Sequence, residues 1–387
     1  MAADVGIVMP VYRQKGSFLY KAIHSMRRQS YRHFHLVIVL DGAPSRMAQI
    51  VRRTIGHDKR IHVISLPKNG GVANALNRGF EYLAHNRRIR YLTWVSSDNV
   101  YHKDFIEALR RTLRHGGSHV GLAYSAFHFI KDDGQPVFDE ETENAHALWM
   151  NQPKQNLLES CFIGASFLYK RRFAKKIVGY RWEPVEDYEY WLRLTEQCDI
   201  AYCGARLMDY RYDSELSLTR SIHGTASGHR RWREAFETVK LDARRRRGIP
   251  PELSVLCIAS LSGESSFAGL ESLYDQSFSN FEVLIVDTSP DSSIQTQAAA
   301  IKDPRSTWMS CPNMDPVSAV LTAFEATSAP LILLHGANVP IAIHHVRQLM
   351  DSAYHGVVSP SSFNLEELRP DLESLAYGNL TNRLWKR

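Results

Sequence analysis

Short apolar runs alternate with stretches of helical periodicity along the first hundred residues. Ile7–Pro10, Leu36–Leu40, Ile61–Leu66 and Tyr91–Val95 read as strands covered on both faces, as parallel strands are. Between them, Phe18–Gln29 sets Leu19, Ile23 and Met26 along one helical face, and Val72–His85 predicts a second helix. Asp41-Gly42 stops the second strand. Strands alternating with helices predict an α/β fold with a mostly parallel, doubly wound sheet. Such sheets bind ligands outside the carboxyl ends of their strands. Those ends carry Pro10-Val11-Tyr12, Asp41-Gly42 and Ser97-Asp98-Asn99.

The pattern occurs twice. Residues 22–41 align without a gap on 269–288, with Ser25 on Ser272, Gln29 on Gln276, Ser30 on Ser277 and Phe34 on Phe281. Val5–Pro10 aligns on Leu253–Ile258, and Tyr91–Val100 on Leu331–Val339. A period this long marks a duplicated domain, not a solenoid. Residues 229–247 form a strongly basic helical stretch, broken by Gly248, Pro250 and Pro251. The expected organisation is a first domain over 1–225, a basic helix and linker over 226–250, and a partial second copy over 251–387. The basic helix suits a solvated linker or a peripheral contact with an anionic membrane.

Composition narrows the class. An apolar fraction of 44% with 23% charged residues excludes a disordered chain. No apolar run reaches membrane-helix length, and the first residues lack a signal-peptide pattern, so a cytoplasmic location is expected. The five cysteines show no zinc or redox spacing. A net charge of +6 is modest for this length and by itself admits nucleic acid, an anionic lipid surface or a small anionic substrate; of these, no nucleic acid partner is expected.

Taken in order, Pro10-Val11-Tyr12, Gln29-Ser30-Tyr31, Leu36–Gly42, Asn69-Gly70-Gly71 with Asn77-Arg78-Gly79, Ser97-Asp98-Asn99 and Glu186-Asp187 with Trp191-Leu192-Arg193-Leu194 resemble the family 2 glycosyltransferases. Each motif alone also fits a turn or a helix cap; their order and spacing carry the resemblance. It covers roughly Val5 to Thr219 and implies the GT-A fold, a Rossmann-like arrangement. It also implies inverting transfer of a sugar from a nucleotide-diphosphate sugar to an acceptor hydroxyl, usually with Mg²⁺ or Mn²⁺.

A cation offsets charge developing on the diphosphate leaving group. The resemblance makes Asp98 its ligand, with Ser97 standing where the family often has a second acid. It places Asp41 and Tyr12 against the nucleotide base, with Leu40 replacing an acid common in the family. Lys68, Asn69 and Gly71, ahead of a helix N-terminus, form an anion-friendly turn on the donor side. Asp187 becomes the general base and Glu186 its neighbour in catalysis. His223 is a remote extra metal ligand, and Cys161–Arg171 lines the acceptor side.

The expected partners are a UDP-, GDP- or dTDP-sugar and a glycan or lipid-linked acceptor of surface polysaccharide assembly, with a homo-oligomer open. A non-catalytic nucleotide-sugar or glycan-binding module is the alternative, favoured by the sparse acids at positions 40 and 97. In the second copy Ala337 falls on Asp98, Thr288 on Asp41 (Asp287 opposite Leu40), and Asn313-Met314-Asp315 on Asn69-Gly70-Gly71. That copy is expected to be a degenerate nucleotide-binding half domain lacking the acceptor half, which packs on the first copy, dimerises or holds an acceptor chain.

Overall fold

The computed structural model describes the chain except residues 1, 213, 215–219, 221, 223, 260–266, 292, 358–359, 363–369 and 373–382. The chain divides into two units, Met1–Gly228 and His229–Arg387.

In the first unit, β1 (Val5–Val11), β2 (Phe34–Asp41), β3 (Ile61–Leu66) and β4 (Tyr91–Trp94) are parallel, in the order β3-β2-β1-β4. These four strands carry the expected apolar runs, and β1 and β2 are buried almost throughout. α1 (Gly16–Arg27) buries Phe18, Leu19, Ala22, Ile23 and Met26, the stripe its spacing predicts. α2 (Ser45–Ile55) was not legible beforehand: it buries only Met47, Val51 and Thr54 among polar residues. α3 (Val72–Ala84) leads into β4.

The sheet then continues in a way the sequence pattern did not foretell. Strands β5 (Val100–Tyr101), β6 (Val120–Ile130), β7 (Phe167–Lys170) and β8 (Asp199–Arg211) extend it to eight strands, ordered β3-β2-β1-β4-β7-β6-β8-β5. β7 is antiparallel to both β4 and β6, so the parallel half is joined to its extension through one reversed strand. α4 (Phe105–His115), α5 (Glu140–Met150), the short α6 (Arg171–Ala174) and α7 (Glu186–Leu194) complete the unit.

The second unit repeats the parallel half. β9 (Leu253–Ala259), β10 (Phe281–Asp287), β11 (Ser306–Ser310) and β12 (Leu331–Gly336) take the order β11-β10-β9-β12. β14 (Leu384–Lys386) is antiparallel to β12 as β7 is to β4, and β13 (Ser361–Ser362) borders it. The helix of residues Ala226–Arg247 spans the division. Its cations are used within the second unit: Arg230 and Arg233 pair with Glu271, and Arg233 also with Asp275. Residues 229–250 fall within the second unit.

The shared residues hold the same turns in both copies. Gln29 donates to the carbonyls of Ser25 and His102 and accepts from Ile106 N–H; Gln276 donates to Ser272 and Ala342 and accepts from Val346 N–H. Ser25 Oγ accepts from Tyr101 N–H, and Ser272 Oγ from Ile341 N–H. Asp58 and Arg60, with Arg60 over the Phe34 ring, recur as Asp303 and Arg305 over Phe281. This last pair escaped sequence alignment.

These bonds correct one alignment. Tyr91/Leu331 before the turn and Tyr101/Ile341 after it keep one constant offset, so no gap falls between them. Asn338, not Ala337, therefore stands opposite Asp98. The second copy keeps a neutral oxygen where the first has a carboxylate. The correspondence also runs further than expected, to Arg387 opposite Arg171: each N–H bonds the carbonyl just before its β-strand, Pro330 or Arg90. Glu186 and Asp187 lie beyond the matched segment.

Candidate functional site

The carboxyl ends of β1, β2 and β4 lie side by side on one rim, as the strand order requires. Tyr12, 39% exposed, follows β1, with Arg13 over its ring at 5.2 Å. Val11 is buried and Pro10 half-buried. Lys68 and Asn69 are exposed beside them.

Asp41 ends β2 and is buried. Its Oδ2 accepts from Asn69 Nδ2 at 2.9 Å and Gly71 N–H at 3.0 Å, and Oδ1 accepts from Gly70 N–H at 3.0 Å. The Gly-rich turn was read as offering bare N–H groups to a ligand. That reading is corrected: the anion those groups hold is Asp41 itself. Oδ1, with one good bond, keeps a lone pair for an outside donor. The first turn of α3 is likewise engaged, because Ala73 N–H donates to Glu183 Oε1 at 2.8 Å.

Two glycines make this turn possible. Gly42 has φ +60, and a Cβ there would stand 2.2 Å from Asn69 N. Gly71 has φ +90, and its Cβ would meet Glu183 Oε1 at 2.4 Å. Gly42→Ala is expected to cost at least about 1–3 kcal/mol from the backbone conformation alone. The fall in urea midpoint measures it; an unchanged midpoint would remove the argument.

Ser97 and Asp98 follow β4 and are half-buried. Asp98 Oδ1 accepts from Ser96 Oγ at 2.5 Å, and its other oxygen has no protein partner among the described residues. The turn is fixed from behind. Buried Asn99 accepts from Arg211 N–H at 2.9 Å, and Arg211 Nε donates to the Asp98 carbonyl at 3.2 Å. Arg211 also lies 3.7 Å over the Phe18 ring and donates to Lys131 and Asp132 carbonyls. Among the described residues no three His, Cys, Asp or Glu side chains gather as a metal cluster. A cation here would therefore take Asp98 as its protein ligand, with phosphate and water supplying the other oxygens, an arrangement Mg²⁺ accepts. His223 lies outside the described residues, as does most of 213–219.

Glu186 and Asp187 open α7, whose other residues are all buried. Trp191 packs edge-on against Phe167 at 4.4 Å, and Tyr190 stacks on Tyr180 at 4.0 Å. Asp187 Oδ1 accepts from Tyr188 N–H at 2.6 Å. Glu186 Oε2 is buried with no partner among the described residues. Burial, then the Asp187 charge, push the Glu186 carboxyl well above the ordinary carboxylate range. Burial also raises Asp187, partly offset by the Tyr188 N–H bond. Burial, then the Asp187 charge, raise the Cys161 thiol, at the start of the segment Cys161–Arg171 that contains β7.

A raised carboxyl pKa has a definite consequence. Between its unfolded and folded values the native state binds more protons than the unfolded chain, so Glu186 makes stability fall as pH rises through that window. Glu186→Gln is expected to raise the melting temperature at pH 7 and above and leave it unchanged near pH 4. A melting series across pH tests this; an equal shift at both ends would sink it.

Two residues join the donor and acceptor sides without having been anticipated. Asn77 donates to Tyr180 O and accepts from Tyr180 N–H, both at 2.8 Å, tying α3 to the loop before α7. Glu183, three residues before Glu186, holds the start of α3. Asn77 lies in the Asn77-Arg78-Gly79 motif; nothing in the sequence marks Glu183.

Residues 6–178 match the model described as Glycosyl transferase family 2. The first unit of this chain carries a family 2 glycosyltransferase domain. An uncharacterized glycosyltransferase of Rickettsia conorii is 23% identical over 214 residues, covering 54% of this chain and 34% of that protein. The chain thus spans about a third of that relative's length. TuaG of Bacillus subtilis, a glycosyltransferase named for teichuronic acid biosynthesis, is 23% identical over 198 residues, 51% of this chain and 74% of its own. Among solved structures, S. aureus TarS 1–349 in complex with UDP-GlcNAc matches with TM-score 0.48 and 13% identity, covering 61% of this chain and 66% of that one.

Proposed function

We propose that this chain is an inverting, divalent-cation-dependent glycosyltransferase. It moves a sugar from a nucleotide-diphosphate sugar to an acceptor hydroxyl. The observation that carries the reading is the family match over residues 6–178 with Asp41 and Asp98 at the carboxyl ends of parallel strands on one rim; the Glu186-Asp187 pair follows beyond the matched residues. Asp41, held by three neighbours, receives a base N–H on its spare lone pair. Tyr12 lies against the base. Asp98 would hold Mg²⁺ or Mn²⁺, and such a cation would supply charge stabilisation to the diphosphate leaving group. Asp187 takes the acceptor proton as the hydroxyl attacks from the opposite face, and its N–H bond from Tyr188 fixes its direction. Glu186, favoured in its neutral form by burial, donates to the acceptor and leaves Asp187 as the charged member of the pair.

The teichuronic acid assignment of the B. subtilis relative supports a glycan or lipid-linked acceptor in surface polysaccharide assembly. Work on the inner face of a membrane, with peripheral contact, suits such an acceptor. No described helix is long and apolar enough to cross a membrane.

The test is a thermal-shift panel of the full chain with UDP-, GDP- and dTDP-sugars, each with and without Mn²⁺. A ligand at 100 times its dissociation constant adds about 2.7 kcal/mol. One nucleotide family should shift the melting temperature in a Mn²⁺-dependent way, and Asp98→Ala should erase the Mn²⁺ dependence. Donor binding without sugar transfer would favour the non-catalytic module; no shift with any donor would overturn both readings.

A further inference from the structure

The end of β4 remote from Ser97 and Asp98 opens onto a cavity of about 390 Å³. Arg87, Arg90, Lys170, Arg171, Arg172 and Lys175 line it. Among the described residues, no carboxylate stands within ion-pair distance of any of the six. Neutral carbonyls hold three of them instead. Arg171 donates to Asn86 O at 2.7 Å and Ala84 O at 2.6 Å, Lys170 to Gly117 O at 2.8 Å, and Arg172 to Ser118 O. A carbonyl fixes a cation's position and leaves its charge uncancelled. Burial and the Arg172 charge lower the Lys170 pKa, the mark of cations crowded without a counterion.

The second unit supplies an internal control. Arg387 there does what Arg171 does here: its N–H bonds Pro330 O, and its guanidinium reaches the carbonyl at the end of the helix Pro316–Glu325. The fold therefore uses an arginine at that position twice. Lys386 stands where Lys170 does, but the arginines of the turn before the strand are not reproduced. Arg87, Arg88 and Arg90 correspond to Thr327, Ser328 and Pro330, while buried Ile89 corresponds to buried Ala329. The second copy joins the same helix and strand there with no charge, through a different turn in which Ala329 N–H donates to Ser254 Oγ where Ile89 N–H donates to Asn86 O, so the three arginines are particular to the first unit.

We propose that this cavity binds a phosphate-bearing anion of about the size of a diphosphate, free in solution or carried on a lipid headgroup. Guanidinium forks match phosphate oxygens in pairs, and the fixed cations need little reordering to receive them. The cavity's volume exceeds one phosphate, and its charge asks for more than one negative group. The proposal is independent of the transferase reading, since the site stands at the other end of the strand.

The full chain would be titrated calorimetrically with pyrophosphate in EDTA, which withholds divalent cations from the donor side. In parallel it would be sedimented with phosphatidylcholine vesicles with and without phosphatidylglycerol. Arg87→Glu with Arg172→Glu should weaken binding about tenfold or more. Arg87→Gln with Arg172→Gln should weaken it less, with both variants melting as the parent does. Arg52→Glu with Arg53→Glu, exposed on α2, makes the same change in net charge and should leave binding intact. Pyrophosphate binding that follows this pattern supports a soluble ligand. Binding only to phosphatidylglycerol vesicles, with the same pattern, supports a lipid-borne one. Binding to neither, or equal loss in both glutamate variants, overturns the proposal.

Discussion

Asp187→Asn is expected to lower sugar transfer by about 10²–10⁴-fold while leaving donor affinity within a factor of about two. The replacement keeps shape and keeps a carbonyl oxygen to accept from Tyr188 N–H, so α7 should start as before. It removes the one thing a base needs, a lone pair basic enough to take the acceptor proton. The surrounding side chains amplify the effect. Burial raises Asp187 above an ordinary aspartate, which brings its proton affinity closer to that of the hydroxyl in the transition state. A second signature accompanies it. With Asp187 uncharged, Glu186 loses the second-largest cause of its raised pKa and should ionise at lower pH. Turnover measured at saturating donor, beside donor affinity from thermal shifts, separates the two effects. A variant that keeps a third or more of the parent rate would mean that another group takes the proton.

The largest expected effect on stability lies nearly two helical turns further along α7. Arg193→Met should destabilise the first unit by about 3–5 kcal/mol. Arg193 and Glu189 are both buried, at 5% and 2% exposure. The guanidinium meets the carboxylate in two bonds of 2.6 Å and donates to the carbonyls of Val178 and Gly179. Without it, those acceptors and Glu189 stay buried, and among the described residues Glu189 keeps only half-exposed Arg181 as a cation partner. At about 2–4 °C per kcal/mol for a domain of this size, melting should fall by roughly 6–20 °C. The double variant with Glu189→Gln should recover part of the loss, since it removes the stranded charge. A fall of less than about 2 °C in the single variant would show that water reaches the pair.

The parallel half of the sheet was legible because its central strands β1 and β2 are covered on both faces and so are apolar nearly throughout; edge strand β3, with His62 and Ser65 exposed, is not covered on both faces as expected. The α1 stripe and the repeated Ser25 and Gln29 were legible for a similar reason, as close turns leave few residue choices. The reversed strand β7 was not. Phe167–Lys170 is too short to show direction, which is set by its neighbours Leu92 and Leu122. Of the site, Asp41, Asp98, Glu186 and Asp187 were found through motif order. What they touch was hidden, because it depends on distant pairs: Asp41 with Gly70, Asp98 with Arg211, Ala73 with Glu183. The misread Asn69-Gly70-Gly71 turn is instructive. Its glycines do signal N–H groups held by an anion, and sequence alone cannot say that the anion is already in the chain.

The matched bonds of the two copies have a use beyond describing this fold. Few side chains survive between them, and among those that do are ones that close turns: a serine in the last turns of the first helix with a glutamine four residues on, just past its end, and an aspartate and arginine two apart before the third strand. Together with the phenylalanine beneath that arginine they form a spaced signature of five residues. Such a signature can locate a worn half domain in a longer sequence after its ligand-binding residues have been lost, because it records how the chain folds and not what the domain once held.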